Sequence, residues 1–310
     1  MNLVQPHPPP VGVDPYARAP RFSGEEADRQ WLRLPPPALQ GALLALVGRD
    51  TSTLKLSSEQ RLSHFPASPL VTLSWYAGMG SGLMTPGPQG PLWQPFGSHI
   101  MLSGSQSHPT ISWAPTTGRG YMACFAADAA QALFGIELAA IQDRFIPASE
   151  ILDARWTPLL ESLLASSDHA LLDVLESHLA LRWQALQGRS SAHASLRQMG
   201  RHWMSRLAWK AQQWRSGASE RQVERRIKSF SGRSLREWQS LVRTEGLFFA
   251  ARERYEQGLP LDWATLAQDE GFSDQAHMSR TAKRITGFAP GEFTQRFIED
   301  ESFWMYRLWM

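Results

Sequence analysis

Cysteine is almost absent from this sequence, since Cys124 is the only one among 310 residues. A single cysteine cannot form a disulfide within the chain, and it excludes a metal site built from several thiolates. Cys124 lies in the apolar run Tyr121–Phe125, where a buried and unreactive thiol is the simplest interpretation. The sequence therefore argues against a disulfide-rich fold and against thiol chemistry.

Long apolar runs and catalytic motifs are also missing. No stretch approaches the roughly 18–20 apolar residues of a membrane span, and the proline-rich first 22 residues lack the pattern of a secretory signal. The sequence contains no glycine-rich phosphate loop and no Ser-His-Asp context, and His64, His99 and His108 do not follow a metal-ligand spacing. We therefore expect a cytoplasmic protein without catalytic residues, metal or cofactor.

Charge is distributed unevenly along the chain, although the formal net charge is only +2. Residues 193–236 hold 11 Lys/Arg against two Asp/Glu, a net charge of +9, whereas residues 1–192 carry −3 and residues 237–310 carry −4. A dense basic block is typical of a surface that faces phosphates. A solvated basic surface without a nucleic-acid partner is the alternative.

The segment Gly271–Phe293 has the pattern of a turn, a helix and a second turn. Ser273 and Asp274 are suited to cap a helix over about 274–284, because their side-chain oxygens accept free backbone N–H groups. Gly287 is a helix stop, and Pro290 prevents continuation. The apolar residues follow helical spacing: Met278, Ala282 and Ile285. This arrangement predicts a helix-turn-helix with a polar, basic outer face.

The segment Gly217–Trp238 repeats this pattern. Four pairs correspond at an offset of 54 residues for the first and 55 for the rest: Ser219 and Ser273, Arg225 and Arg280, Gly232 and Gly287, Trp238 and Phe293. The apolar stripe of this copy is Val223, Ile227 and Phe230. We therefore predict a second unit with a helix over about 219–229, preceded by a longer helix from Leu196 and joined to the other unit by a helix over Glu237–Gln257.

The run from Leu266 to Phe293 resembles the second helix-turn-helix of the AraC/XylS family of transcriptional regulators. The shared features are Leu266-Ala267, Gly271 to Gln275, Ser279-Arg280, Lys283-Arg284, Thr286-Gly287, Pro290 and Phe293. The resemblance implies an all-α DNA-binding domain of two such units joined by a long helix. In the first unit Gln212-Gln213 replaces Leu266-Ala267, so we expect the helix before it to be longer or to pack differently.

A recognition helix presents residues near its start to base edges in the major groove. The residues expected to read bases are Glu220, Arg221, Glu224, Arg225, Gln275, Ala276, Ser279 and Arg280. Those expected to contact phosphates are Ser219, Lys228, Ser273, Lys283 and Arg284. Alternatively, Arg225 and Arg280 stabilise the protein's own fold through salt bridges, and Glu220 and Glu224 pair with Arg225 or Lys228.

The N-terminal half has a different character. Short apolar runs separated by Gly, Pro and Ser predict strands near Leu70–Tyr76, His99–Ser103, Thr110–Trp113 and Tyr121–Phe125, in a small barrel or sandwich. Residues 1–40 have an irregular pattern, and helical periodicity begins near Ala127. Three tryptophans of this predicted β-rich half are candidates either for a ligand pocket or for the core: Trp75, Trp93 and Trp113.

These patterns predict an α+β protein of two domains. The N-terminal domain, residues 1–187, is β-rich with trailing helices, and the family resemblance implies a cupin-like barrel for effector binding or dimerisation. A linker follows at 188–194, the DNA-binding domain at 195–298, and an aromatic tail at 299–310. The cluster Phe303–Trp309 in that tail reads as an exposed docking helix or interface.

The resemblance implies a sequence-specific, ligand-responsive regulator that docks two recognition helices in successive major grooves. Its implied partners are double-stranded DNA, a small-molecule effector, RNA polymerase and a second copy of the chain, without a membrane. Activation is commoner than repression in the family. One alternative is that the N-terminal region only dimerises and binds no ligand. A DNA-repair alkyl-transfer protein is another alternative, but it needs several cysteines.

Overall fold

A computed structural model of the chain describes residues 12–22, 29–187, 196–260, 262–269 and 274–309. The predicted linker 188–194 and residues Gly271 and Ser273 lie outside these ranges, so the domain boundaries stay predictions. The described part has a β-rich N-terminal region and a helical C-terminal region, which confirms the predicted fold class. Within it, no helix combines the length and the apolar character needed to cross a membrane.

The strands of the N-terminal region form two antiparallel sheets. The strands are β1 (Gln30–Arg33), β2 (Leu43–Asp50), β3 (Leu62–Phe65), β4 (Val71–Ala77), β5 (Gly82–Gly87), β6 (Gly90–Pro95), β7 (Ile100–Ser103), β8 (Thr110–Trp113), β9 (Arg119–Phe125) and β10 (Phe145–Pro147). One sheet has the order β1-β2-β9-β4-β7-β10, and the other has the order β3-β8-β5-β6. All four strands predicted from the sequence are present.

Other strands were not predicted. β1 lies in the stretch expected to be irregular. β5 and β6 form a hairpin in a part of the sequence rich in turn residues, and their pairing extends to Gly87 and Gly90. The hairpin was not predicted because proline and glycine are uncommon inside strands. Its turn lies at residues 88 and 89. The apolar segment Ala38–Val47 contains the first part of β2, whose residues from Leu43 to Arg49 are all buried.

Helices cover the back of the larger sheet and form the C-terminal region. The N-terminal region carries α1 (Ala127–Phe134), α2 (Leu138–Ile141), α3 (Ala148–Ile151), α4 (Thr157–Ala165) and α5 (Leu171–Gln187). The C-terminal region carries α6 (Leu196–Arg215), α7 (Glu220–Ser231), α8 (Leu235–Glu256), α9 (Trp263–Asp269), α10 (Gln275–Thr286), α11 (Pro290–Glu299) and α12 (Trp304–Trp309). The long joining helix is therefore α8, and α6 is longer than its counterpart α9, as predicted.

One continuous apolar core runs through both regions. It includes Leu73 of β4, Leu175 of α5, Trp203 of α6 and Trp238 of α8. A smaller cluster joins α8, α9 and α10 through residues such as Met278. Burial of shared apolar surface fixes the regions against each other, so the N-terminal region is positioned to affect the C-terminal one.

The aromatic tail is buried, contrary to its expected exposure. Phe303 is fully buried, and Trp304 and Tyr306 are 6% and 1% exposed. The rings of Phe303 and Tyr306 pack on Phe293 of α11, with centroids 5.8 and 5.1 Å away. The apolar character of the tail is therefore satisfied within the chain.

Candidate DNA-binding surface and ligand cavity

The two recognition-helix candidates, α7 and α10, are built alike. Each has 12 residues. Ser219 caps α7 and accepts a hydrogen bond from the backbone N–H of Gln222 at 3.4 Å, while Asp274 caps α10 and accepts one from that of His277 at 2.7 Å. Gly232 and Gly287 end the helices with φ of 83° and 86°, values that favour glycine.

These caps correct the sequence alignment of the repeat. The structural counterpart of Ser219 is Asp274, and not Ser273. From these caps to Trp238 and Phe293 the offset is therefore 55 residues. The turn residues before Asp274 lie outside the described ranges, so the extra residue at that turn stays a prediction. Matching serine with serine was misleading, because a carboxylate caps a helix as well as a hydroxyl does.

The predicted apolar stripes of both helices pack against apolar clusters, although Phe230 of α7 is only partly buried. Val223 and Ile227 of α7 are 5% and 1% exposed, and Met278, Ala282 and Ile285 of α10 are 0%, 2% and 1% exposed. These contacts fix which face of each helix points outward. The remaining face is therefore the one available to DNA.

The predicted DNA contacts whose side chains the structure describes lie on that outward face. The exposed ones are Ser219, Glu220, Arg221, Glu224, Arg225, Lys228, Ala276, Arg280, Lys283 and Arg284, and Ser279 is half-buried. The side chain of Gln275 and the whole of Ser273 are outside what the structure describes. Each helix thus presents an arginine at the same position of the repeat, Arg225 on α7 and Arg280 on α10.

The alternative intramolecular roles receive little support. In the described part of the chain, no ion pair within 4 Å involves Glu220, Glu224, Arg225 or Arg280. Arg284 differs, because its guanidinium donates a hydrogen bond to Ser240 of α8. Arg284 therefore also helps to hold α10 against α8.

The N-terminal region contacts the ends of both helices. Arg233, which follows α7 and is 1% exposed, donates hydrogen bonds to the Ser105 carbonyl at 2.6 Å and to Asp143 at 3.0 Å. Burial would raise the pKa of Asp143, but hydrogen bonds from Arg233 and Ser107 outweigh burial and lower that pKa. Asp143 is therefore held as a carboxylate opposite Arg233.

The end of α10 is held by a second contact. The backbone N–H of Ala67, which follows β3, donates to the carbonyl of Ile285 at 2.8 Å. Ala67 and Ser105 belong to neighbouring segments, which are joined by backbone hydrogen bonds between Ser68 and Gln106 of 2.8 and 3.0 Å. One small part of the N-terminal region therefore touches both helix-turn-helix units.

A cavity of about 110 Å³ lies between the two sheets. Its wall combines apolar side chains with a group of hydroxyls, and it includes the two segments that contact α7 and α10. The residues lining it include Phe65, Ala67, Ser68, Leu70, Thr72, Ser74, Tyr76, Leu83, Phe96, Ser103, Gln106, Thr110, Ser112, Met122, Cys124, Phe145, Met305 and Tyr306. Burial raises the pKa of Tyr76 to about 12, so its hydroxyl stays neutral.

The candidate tryptophans do not line this cavity. Along β4, Thr72, Ser74 and Tyr76 point into the cavity, so Trp75 points the other way and is fully buried in the core. Trp113 alternates in the same way with Ser112, and its ring packs against Trp93 at 5.5 Å. Along β4 the hydroxyl residues Thr72 and Ser74 alternate with the buried Leu73 and Trp75. This alternation is the sequence signal that could have identified the face of the strand that lines the cavity.

Comparison with known proteins yields only distant structural likeness. No family model and no curated protein matches the chain. A 1.65 Å structure of ToxT from Vibrio cholerae, an AraC-family regulator, shares 13% identity with a TM-score of 0.36, over 76% of this chain and 94% of ToxT. An apo ToxT variant from the same organism shares 11% identity with a TM-score of 0.38, over 84% and 98%.

A structure of wild-type Vibrio cholerae ToxT bound to an unsaturated fatty acid is also similar. It shares 11% identity, with a TM-score of 0.35, over 75% of this chain and 91% of that one. With TM-scores below 0.5, these likenesses establish neither the family nor the function of the chain.

Proposed function

We propose that this protein is a non-enzymatic, sequence-specific DNA-binding transcriptional regulator of the AraC type. Helices α7 and α10 insert into successive major grooves on one face of the DNA. Arg225 and Arg280 read guanine edges in a bidentate way, while Lys228, Lys283 and Arg284 contact phosphates. A small molecule in the N-terminal cavity controls this binding.

The observation that carries the DNA-binding proposal is the repeated unit itself. Two helices of the same length, with equivalent caps and buried stripes, present Arg225 and Arg280 outward at the same position. The basic block 193–236 adds the positive charge that attracts phosphates. A core helix pair would not need two exposed basic faces at matching positions.

The cavity favours an effector over a region that only dimerises. Its wall is mainly apolar and aromatic, and the hydroxyls of Thr72, Ser74 and Ser112 offer a few hydrogen bonds. Such a lining suits a small, mostly apolar molecule with one or two polar atoms. Because Ala67 and Gln106 also line it, the effector would sit beside the segments that hold the recognition helices.

Selection from a pool of random duplexes with the full chain tests the DNA-binding proposal. We expect enrichment of a two-part site whose halves are about one helical turn apart, with an affinity that falls steeply as salt rises. Salt-sensitive binding without any enriched sequence would leave only a non-specific basic surface and would contradict the proposal.

Thermal unfolding with benzyl alcohol tests the cavity. This probe combines an apolar ring with one hydroxyl, and we expect it to raise the Tm of the full chain. Ser74→Leu fills the cavity and should remove that increase, whereas Ser167→Leu, at an exposed position between α4 and α5, should keep it. An equal increase in both variants would place the probe elsewhere.

A further inference from the structure

We propose that the C-terminal segment 300–309 is an internal strut that transmits the state of the cavity to the second helix-turn-helix unit. This inference rests on the proposed function and adds its means of regulation. The segment consists of a short helical turn, Glu301–Phe303, followed by α12. Its contacts extend to three places: the cavity, the larger sheet and α11.

The segment forms part of the wall of two cavities. Met305 and Tyr306 line the first, and Trp304 and Met305 line a second cavity of about 80 Å³ beside it. The indole N–H of Trp304 donates a hydrogen bond to Ser63 of β3 at 2.8 Å. Because these walls are complete only when the segment is docked, a molecule in the cavity binds the docked state better than an undocked one.

Two adjacent buried carboxylates hold the segment to opposite parts of the molecule. Glu301, 2% exposed, accepts a hydrogen bond from Arg49 of β2 at 2.8 Å. Asp300, 1% exposed, accepts one from Arg296 of α11 at 2.9 Å. Burial lowers the pKa of Arg49 to about 10, and only the charge and hydrogen bond of Glu301 oppose that effect. Each pair is stable only while both partners stay in place.

The other end of the strut reaches α10 through α11. Tyr306 and Phe303 pack on Phe293 of α11, and the Phe303 ring also lies 5.4 Å from that of Phe288, which directly follows Gly287 at the end of α10. The guanidinium of Arg296 lies 4.6 Å from the same Phe288 ring. An undocked strut would therefore release the packing that fixes the end of the second recognition helix.

Hydrogen exchange of the full chain tests the strut without DNA or ligand. Glu301→Gln keeps the volume but removes the charge opposite Arg49, and Glu299→Gln, on the exposed face of α11, is the matched control. We expect backbone amides of 301–308 to exchange about tenfold faster or more in Glu301→Gln. The amides of 276–297 should follow them, while Glu299→Gln should match the wild type.

Faster exchange confined to 301–308 would make the segment a local cover of the cavity and would overturn the inference. If Glu301→Gln does not fold, Arg49→Lys is a second variant that alters the same ion pair. It lies in β2 and should produce the same pattern in 301–308 and 276–297. Since this readout involves no DNA, its failure leaves the proposed function standing, whereas wild-type protein that selects no DNA site contradicts the proposed function alone.

Discussion

At the scale of single residues, His64 has a pKa that depends on how the regions pack. It lies in β3 and is 2% exposed. Its ring stacks on Phe303 at 5.0 Å and lies 5.5 Å from Phe288. Burial, and then the charge of Arg296, lower the pKa of His64 to about 3. His64 is therefore neutral in the folded protein but protonates near pH 6.5 when unfolded.

This depressed pKa predicts that the protein loses stability in acid. Between about pH 3 and 6.5 the unfolded chain binds one more proton at His64, so stability falls as the pH drops below 6.5. From pH 7.5 to 5.0 the loss due to His64 is roughly 2 kcal/mol. In urea unfolding, His64→Phe should lack this loss, whereas His99→Phe, at an exposed position, should retain it. An equal loss in all three proteins would refute the explanation.

At the scale of elements, the two helix-turn-helix units were predictable because their signals are local. A cap at each end and an apolar stripe define a helix within about 15 residues, as Ser219 and Gly232 do for α7. The cavity was not predictable from apolar content, because its face of β4 carries Thr72 and Ser74. Burial of the tail depends on distant partners such as Arg49, which no local pattern reveals.

The end of α7 offers a test of its contact with the N-terminal region. Gly232 has a left-handed backbone, and a Cβ there would lie 2.7 Å from the Gln142 side-chain oxygen, directly after α2, and 3.3 Å from the Leu138 carbonyl of α2. Gly258, with φ of 67°, has open space instead. Gly258→Ala should cost about 1 kcal/mol of unfolding free energy through its backbone alone.

Gly232→Ala should cost about 1 kcal/mol more than Gly258→Ala, because the Gln142 side chain and the end of α2 must also shift. Chemical denaturation of both variants measures the difference. Equal costs would mean that α7 does not pack on α2 in solution. The comparison thus separates the interdomain contact from the backbone preference that both glycines share.

At the scale of the whole molecule, the two regions share one apolar core. The shared core, the Arg233 contacts and the tail all connect the cavity with the C-terminal helices. A two-domain prediction from sequence captures the order of elements but not this sharing. Charge signs and linker composition predict domain boundaries, whereas shared burial depends on residues far apart in sequence.

The most direct test of the central claim is the affinity of two arginine variants for the selected DNA site. Arg225→Ala and Arg280→Ala should each lose about 1–3 kcal/mol of binding, and each should relax the preference at one base pair, in a different half of the site. Lys283→Ala should instead weaken binding equally for all sequences. It should also reduce the slope of the logarithm of the binding constant against the logarithm of the salt concentration by about 1.

Loss of preference in separate halves would show that both helices read DNA as the account predicts. If Arg225→Ala and Arg280→Ala leave the preferred sequence and the affinity unchanged, neither helix reads bases and the account is contradicted.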